Sequence, residues 1–210
     1  MQIQKFVLGG FETNSYVLTS SDQSQSCLII DTGLSNVELI EYLKISNLTP
    51  EAVILTHGHA DHIAGVIELR QDFPDIKVVI HAGDADMLTN PRQNLSMLAG
   101  ANISTEPADV IIEDEGNISF AGIELKVLHT PGHSQGGISL YNADDNVAFV
   151  GDTLFDGSVG RTDFPGGSAK QLISSIKEKL LTLPEETKCC PGHGPDTTVL
   201  REKKTNPFLR

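Results

Sequence analysis

Residues 56–62 read Thr56-His57-Gly58-His59-Ala60-Asp61-His62, and four of these side chains can ligate a metal. Histidine is the commonest ligand for zinc-like metals, and a carboxylate adds charge compensation. The stretch follows Ala52–Leu55, an apolar run suited to a buried strand. It precedes Ile63, Val66, Ile67 and Leu69–Phe73, whose spacing predicts a helix closed by Pro74. It is therefore a loop between two packed elements, where functional residues collect. His57 and His59, two apart on extended backbone, point the same way, while Asp61 and His62 turn with the helix start. This spacing can feed two adjacent metals rather than one.

Working outward, three more candidates follow later apolar runs. His133 stands in His129-Thr130-Pro131-Gly132-His133, Asp152 follows Ala148-Phe149-Val150-Gly151, and His193 lies in Cys190-Pro191-Gly192-His193-Gly194. Each sits at a strand end with glycine beside it, and glycine lets backbone approach a crowded site closely. His81 and His129 are read as strand-end residues in packing or hydrogen-bonding roles. Cys27 reads as core, and Cys189 and Cys190 as a buried strand end.

The rest of the chain repeats this logic. Strands are expected at Ile3–Val7, Tyr16–Thr19, Cys27–Ile30, Lys77–Ile80, Ile118–Phe120, Ile123–Leu128, Ile138–Tyr141, Val147–Val150 and Thr187–Cys190. Helices are expected at Val37–Ile45, Ala169–Leu181 with Ser168 as N-cap, and Thr198–Lys204. Residues 82–109 read as a short helix and a surface excursion. Ile30-Asp31-Thr32 and Gly151-Asp152-Thr153 occupy similar strand-end positions, which points to two related halves packed sheet on sheet with helices outside.

The 210 residues carry a net charge of −13 and suit one domain spanning residues 1–210. No long run of Lys or Arg appears, which argues against a nucleic-acid partner. No 18-residue apolar run is present, so no membrane span is expected. The N-terminal residues lack a signal peptide's pattern, and three cysteines make no disulfide framework, so the cytoplasm is the expected compartment.

The His-x-His-x-Asp-His stretch, the later single His133, Gly151-Asp152 and the final His193 together resemble the metallo-β-lactamase superfamily. The resemblance runs from Thr13-Asn14-Ser15-Tyr16 to Thr205-Asn206-Pro207-Phe208-Leu209. It implies an α/β fold, an αβ/βα four-layer sandwich of two mixed β-sheets, with metals at one sheet edge. By position it implies that His57, His59 and His133 hold a first divalent metal, and that Asp61, His62 and His193 hold a second. Asp152 would bridge them, and Asp61 would also orient the attacking hydroxide. Zinc is the metal expected, with iron or manganese compatible with the same ligands.

Within the superfamily, β-lactamases lack the bridging aspartate. Asp152 and the loop Gly151–Phe164 instead resemble the short, bacterial, glyoxalase II-like hydrolases. That implies a metal-dependent thioester hydrolase acting on a small acyl thiol such as S-lactoylglutathione. The longer glyoxalase II enzymes have a helical extension that grips glutathione, and the segment after His193 is expected to be too short for one. Arg161 is the expected substrate-binding cation, able to hold a carboxylate bidentately; alternatively it pairs with Asp163 or Asp156 and shapes the loop. Gly160-Arg161-Thr162-Asp163-Phe164 also resembles the persulfide dioxygenases, which would use one iron on His57, His133 and Asp152. A non-catalytic, metal-bound binding module is the remaining reading.

Overall fold

The computed structural model describes residues 1–21 and 23–210. Its strands alternate apolar residues between two faces, and this alternation builds the layers. The first sheet runs, in spatial order, β1 (Gln2–Leu8), β2 (Thr13–Thr19), β3 (Ser26–Ile30), β4 (Thr49–Ile54), β5 (Lys77–His81) and β6 (Val110–Ile112). The pairs β1–β2 and β2–β3 are antiparallel, whereas β3 to β6 run parallel, so the sheet is mixed.

The second sheet contains β7 (Gly116–Phe120), β8 (Ile123–His129), β9 (Ile138–Asn142) and β10 (Val147–Gly151). A small hairpin of β11 (Leu154–Phe155) and β12 (Ser158–Val159) follows, and then β13 (Lys188–Pro191) and β14 (Thr197–Thr198) complete the sheet. Its spatial order is β14-β13-β10-β9-β8-β7, mixed through the parallel pair β10–β13.

Tyr16, Leu28, Ile54 and Val79 point from the first sheet toward Leu125, Leu140 and Phe149 of the second, forming the central core. Their neighbours Val17, Ile29, Val53 and Val78 face the other way. They pack under α1 (Val37–Ile45), α2 (Ala60–Ile63) and α3 (Val66–Asp72), through Leu39, Leu43, Ile63 and Leu69. On the far side, Ala148 and Val150 pack against α4 (Ala169–Ser175) and α5 (Val199–Thr205), through Leu172 and Val199. The result is the expected helix–sheet–sheet–helix sandwich. Among the described residues no helix is long and apolar enough to cross a membrane.

Two expected helices are interrupted. The predicted helix after the His-rich loop divides at Gly65, into α2 and α3. Asn36 Nδ2 donates to the Gly65 carbonyl at 2.8 Å, and Gly65 N donates to Thr32 Oγ1. A Cβ on Gly65 would lie 1.8 Å from Asn36 Nδ2, so only glycine admits that approach. The predicted helix 169–181 is α-helical only to Ser175 and continues as a π-turn over Ile176–Leu180. Ser168 does cap it, accepting from Gln171 N. Residues 82–109 contain two 3₁₀ helices, Ala82–Leu88 and Ser96–Ala99.

Glu202 on α5 is buried and holds the hairpin β11–β12. Its carboxylate accepts from Thr197 Oγ1 at 2.6 Å, Asn206 Nδ2 at 2.7 Å and Gly157 N at 3.1 Å. Glu202→Ala would leave buried Thr197 Oγ1 without this acceptor, Asn206 Nδ2 with only its bond to the Ser158 carbonyl, and Gly157 N to the partly open surface. The expected loss is about 3 kcal/mol of stability. Urea denaturation checks it, and an unchanged midpoint would show that the donors find other partners.

Candidate metal centre

The loops that leave the sheets at one edge converge, and backbone ties fix each one. Asp31, at the end of β3, accepts from Thr56 N and Thr56 Oγ1, both at 2.7 Å. Asp84 is buried and accepts from Gly58 N at 3.0 Å and Gly136 N at 2.6 Å, joining the His-rich loop to the loop after β8. Asn14 N donates to the Gly192 carbonyl, and its side chain donates to the carbonyls of Pro191 and Gly194. Tyr16 Oη donates to the Pro191 carbonyl at 2.8 Å. β2 thus anchors the turn that carries His193. A Cβ on Gly192 would lie 2.3 Å from Asp152 Oδ1 and 2.6 Å from His62 Cε1, so this turn also needs glycine.

These ties bring all seven expected residues together. Three overlapping groups have ligand atoms within 4.8 Å of one another: His57, His59 and His133; His57, His62 and Asp152; and Asp61, His62 and His193. His59 Nδ1 lies 2.9 Å from His133 Nε2, and His62 Nε2 lies 3.3 Å from His193 Nε2. Asp152 stands between them, with Oδ1 3.4 Å from His62 Nε2 and Oδ2 3.6 Å from both His133 Nε2 and His193 Nε2. Asp61 Oδ2 is 3.2 Å from His193 Nε2.

The outward-facing ring nitrogens settle which nitrogen points inward. His133 Nδ1 donates to the Arg161 carbonyl at 2.8 Å, His62 Nδ1 to Asp31 Oδ2 at 2.9 Å, and His193 Nδ1 to the Glu12 carbonyl at 3.3 Å. A carbonyl or carboxylate only accepts, so each of these rings carries hydrogen on Nδ1 and directs Nε2 to the cluster. His57 Nδ1 contacts Thr56 Oγ1 at 3.2 Å.

Charge within the cluster is divided. Burial, reinforced by the neighbouring histidines, holds His57 well below the usual histidine range and His59 at about 3. Both are thus in the neutral, ligating form. Burial opposes ionisation of Asp61 and Asp152, but His62 and the other imidazoles outweigh it and keep both carboxyls below the usual range. Burial also works against protonated His62 and His193. Asp31, Asp152 and Asp61 overcome it at His62, and the Asp61 hydrogen bond and Asp152 overcome it at His193, so both are raised. Protons on that side occupy the place where a cation would neutralise the carboxylates.

Among the described residues, five buried side-chain polar atoms have no hydrogen-bond partner, and two of them, His57 Nε2 and Asp152 Oδ1, lie in the cluster. Such orphans are costly unless something binds them. Tetrahedral zinc, at roughly 2.0–2.1 Å from its ligands, sets them about 3.3 Å apart, matching the separations here. The donor set therefore fits divalent metal.

Arg161 lies outside the cluster, at a cavity of about 690 Å³ whose floor includes His59, Asp61, His133, Asp152 and His193. Its Nε and Nη2 donate to Asp163 at 2.8 and 2.7 Å, and its guanidinium lies 3.9 Å from the Phe164 ring centroid. Asp156 pairs instead with Arg201. His81 and His129 stack at 4.2 Å, and His129 Nε2 donates to the Gln135 carbonyl, consistent with packing roles. The three cysteines are buried, and burial pushes their thiols up to about 12.

Sequence reading missed Asp31, Thr56 and Asp84 as supports of the cluster. For Asp31 a signal existed, its strand-end position matching that of Asp152. The apolar cavity walls had none, because Phe11, Leu95 and Phe155 come from separate loops.

The family model described as metallo-beta-lactamase superfamily matches residues 8–193. Among curated relatives, the probable metallo-hydrolase YqgX of Bacillus subtilis is 43 % identical over 100 % of this chain and 98 % of its own. The hydroxyacylglutathione hydrolase GloC of Haemophilus influenzae is 34 % identical, covering 100 % and 98 %. Among solved structures, the B3 metallo-beta-lactamase BLEG-1 has a TM-score of 0.94 at 41 % identity, covering 99 % of each chain. TTHA1623 in a di-iron-bound form has a TM-score of 0.84 at 35 % identity, covering 98 % and 100 %. ETHE1 from Myxococcus xanthus has a TM-score of 0.78 at 28 % identity, covering 99 % and 84 %. With the fold, the ligand cluster and these likenesses in agreement, the chain belongs to the metallo-β-lactamase superfamily, as a metallo-hydrolase of that fold.

Proposed function

We propose that this protein is a cytoplasmic, metal-dependent thioester hydrolase that cleaves small S-acyl thiols such as S-lactoylglutathione. One observation carries the reading: Asp152 lies within 3.6 Å of His62, His133 and His193, between the His57–His59–His133 and Asp61–His62–His193 groups, at the floor of a cavity large enough for a small-molecule substrate. The likeness to GloC supports the substrate class. His57, His59 and His133 would hold one divalent ion, and Asp61, His62 and His193 a second, with Asp152 common to both. Zinc suits this imidazole and carboxylate set, and iron or manganese are compatible, iron in particular given the di-iron form of TTHA1623.

When bound, the metals supply water that is deprotonated near neutral pH and Lewis-acid polarisation of a carbonyl. The protein supplies the rest. Asp61 and Asp152 offset the positive charge. Asp61, partly exposed to the cavity, accepts a hydrogen bond from the attacking water and orients it. The hydrogen-bonded Nδ1 atoms of His62, His133 and His193 hold the rings in place, so no reorganisation accompanies reaction. A thiolate leaves readily, so a strong general acid is not required. Arg161, which lines the cavity while paired with Asp163, would meet a polar end of the substrate.

Two other chemistries have support. Gly160–Phe164 and the proximity of His57, His133 and Asp152 favour persulfide oxidation on one iron, and the likeness to BLEG-1 favours β-lactam hydrolysis. The test is metal content measured beside three assays: thiol release from S-lactoylglutathione and from neutral thioesters, oxygen uptake with glutathione persulfide, and opening of a chromogenic cephalosporin. The expected result is two metals per chain and thiol release above about 10⁴ M⁻¹s⁻¹, lost on chelation and restored by metal. One iron with oxygen uptake, or cephalosporin opening without thiol release, would overturn it.

A further inference from the structure

We infer that the cavity selects thioesters with an extended apolar body over those carried by a multiply charged thiol such as glutathione. This rests on the thioester reading and adds the substrate class. Above the ligand cluster the walls are Phe11, Leu95, Leu98, Phe155, Val159 and Phe164. They come from four separate segments: the turn after β1, the 3₁₀ turn 95–99, the hairpin β11–β12 and the Arg161–Phe164 loop. Among the described residues no lysine lines the cavity, and Arg161 is its one cation besides the histidines. Two of that guanidinium's N–H donors, along one edge, are already engaged by Asp163.

Glutathione brings two carboxylates and an ammonium. One partly engaged guanidinium cannot match them, and unmatched charge against apolar walls costs affinity. An apolar chain has the opposite fit. Leu98 is 75 % exposed and Phe11 54 % exposed, although both belong to a continuous apolar surface. A ligand that covers them removes that surface from water. Local backbone reinforces the arrangement. Leu95 has φ +69°, a conformation that non-glycine residues adopt rarely, and Gly100 closes the turn at φ +76°. Between them the chain displays Leu98 where a plain surface loop would carry polar residues.

The test uses the zinc-loaded full chain and does not depend on turnover. Calorimetry measures binding of S-ethyl, S-butyl and S-octyl thioethers of N-acetylcysteamine, and of S-octylglutathione. A buried methylene is worth up to about fourfold in affinity. With walls partly open to water, the expected gain from ethyl to octyl is at least about 20-fold. S-octylglutathione is expected to bind no more tightly than the octyl thioether of N-acetylcysteamine. Leu98→Ser, at a position too exposed to affect folding, is expected to lower the octyl affinity about threefold, leaving the ethyl ligand nearly unaffected. A flat ladder, or tighter binding of S-octylglutathione than of the N-acetylcysteamine octyl thioether, would overturn the inference. Thiol release from the matching thioesters is followed in parallel. If none is cleaved, the hydrolase reading fails while the affinity ladder still decides the selectivity.

Discussion

Asp152→Asn is expected to lower kcat/KM for thioester cleavage by about 10³-fold and to weaken metal binding by at least about 10-fold. The reason is its position. Its two oxygens approach His62, His133 and His193 at 3.4–3.6 Å, so one carboxylate faces members of both candidate ligand groups. The side chain is only slightly exposed and is kept ionised, because the imidazoles outweigh the cost of its burial. Asparagine has nearly the same size and can still pack below Gly192. It has no charge, however, and only one acceptor oxygen, so it cannot face both groups as an anion. The fold is expected to survive, seen as an unchanged far-ultraviolet spectrum, which separates the effect from misfolding. Metal analysis and steady-state kinetics check the prediction. Activity within tenfold of the parent chain would exclude a shared carboxylate. His193→Ala then separates the two metal readings. It should disable a two-metal hydrolase almost as severely, but leave a one-iron site on His57, His133 and Asp152 largely occupied.

The candidate ligands are legible because each lies next to a strongly patterned element. Val37–Ile45 was readable to the residue from its apolar spacing, and most strands to within one or two residues. Once the strand ends were placed, the loops bearing His57, His133, Asp152 and His193 followed. What escaped depends on contacts far apart in sequence. β6, β11, β12 and β14 are two or three residues long, and their pairing partners, not their composition, make them strands. The break at Gly65 is made by Asn36, 29 residues earlier. Whether Arg161 bonds Asp163 or Asp156 depended on Arg201, which reaches Asp156 from α5 and leaves Asp163 to Arg161. Composition and charge argue against a nucleic-acid partner but could not place the apolar walls of the cavity.

Asp31→Asn is the sharper test of how the fold builds the site, because Asp31 lies behind the ligand cluster and not in it. Its backbone has φ +55°, a region asparagine tolerates well, so the substitution leaves the main chain unstrained. The side chain is another matter. All three of its partners donate: Thr56 N to Oδ1, and Thr56 Oγ1 and His62 Nδ1 to Oδ2. Asparagine offers one acceptor and one NH₂ group. Whichever way the amide turns, an N–H faces a donor, and a buried donor left unmatched costs about 1–3 kcal/mol. If the NH₂ faces His62, the ring loses the acceptor that keeps hydrogen on Nδ1, and the Nε2 lone pair is no longer held toward His193 and Asp152. The expected result is a 10- to 100-fold loss of metal affinity at the group containing His62. A lower urea midpoint should accompany it in the metal-free chain as well. Competition with a chelator measures the first and denaturation the second. Loss of stability with metal affinity intact would show that Asp31 serves packing alone. Loss of affinity at constant metal-free stability would mean that the Thr56 bonds contribute little, and that orienting His62 is the main role of this buried carboxylate.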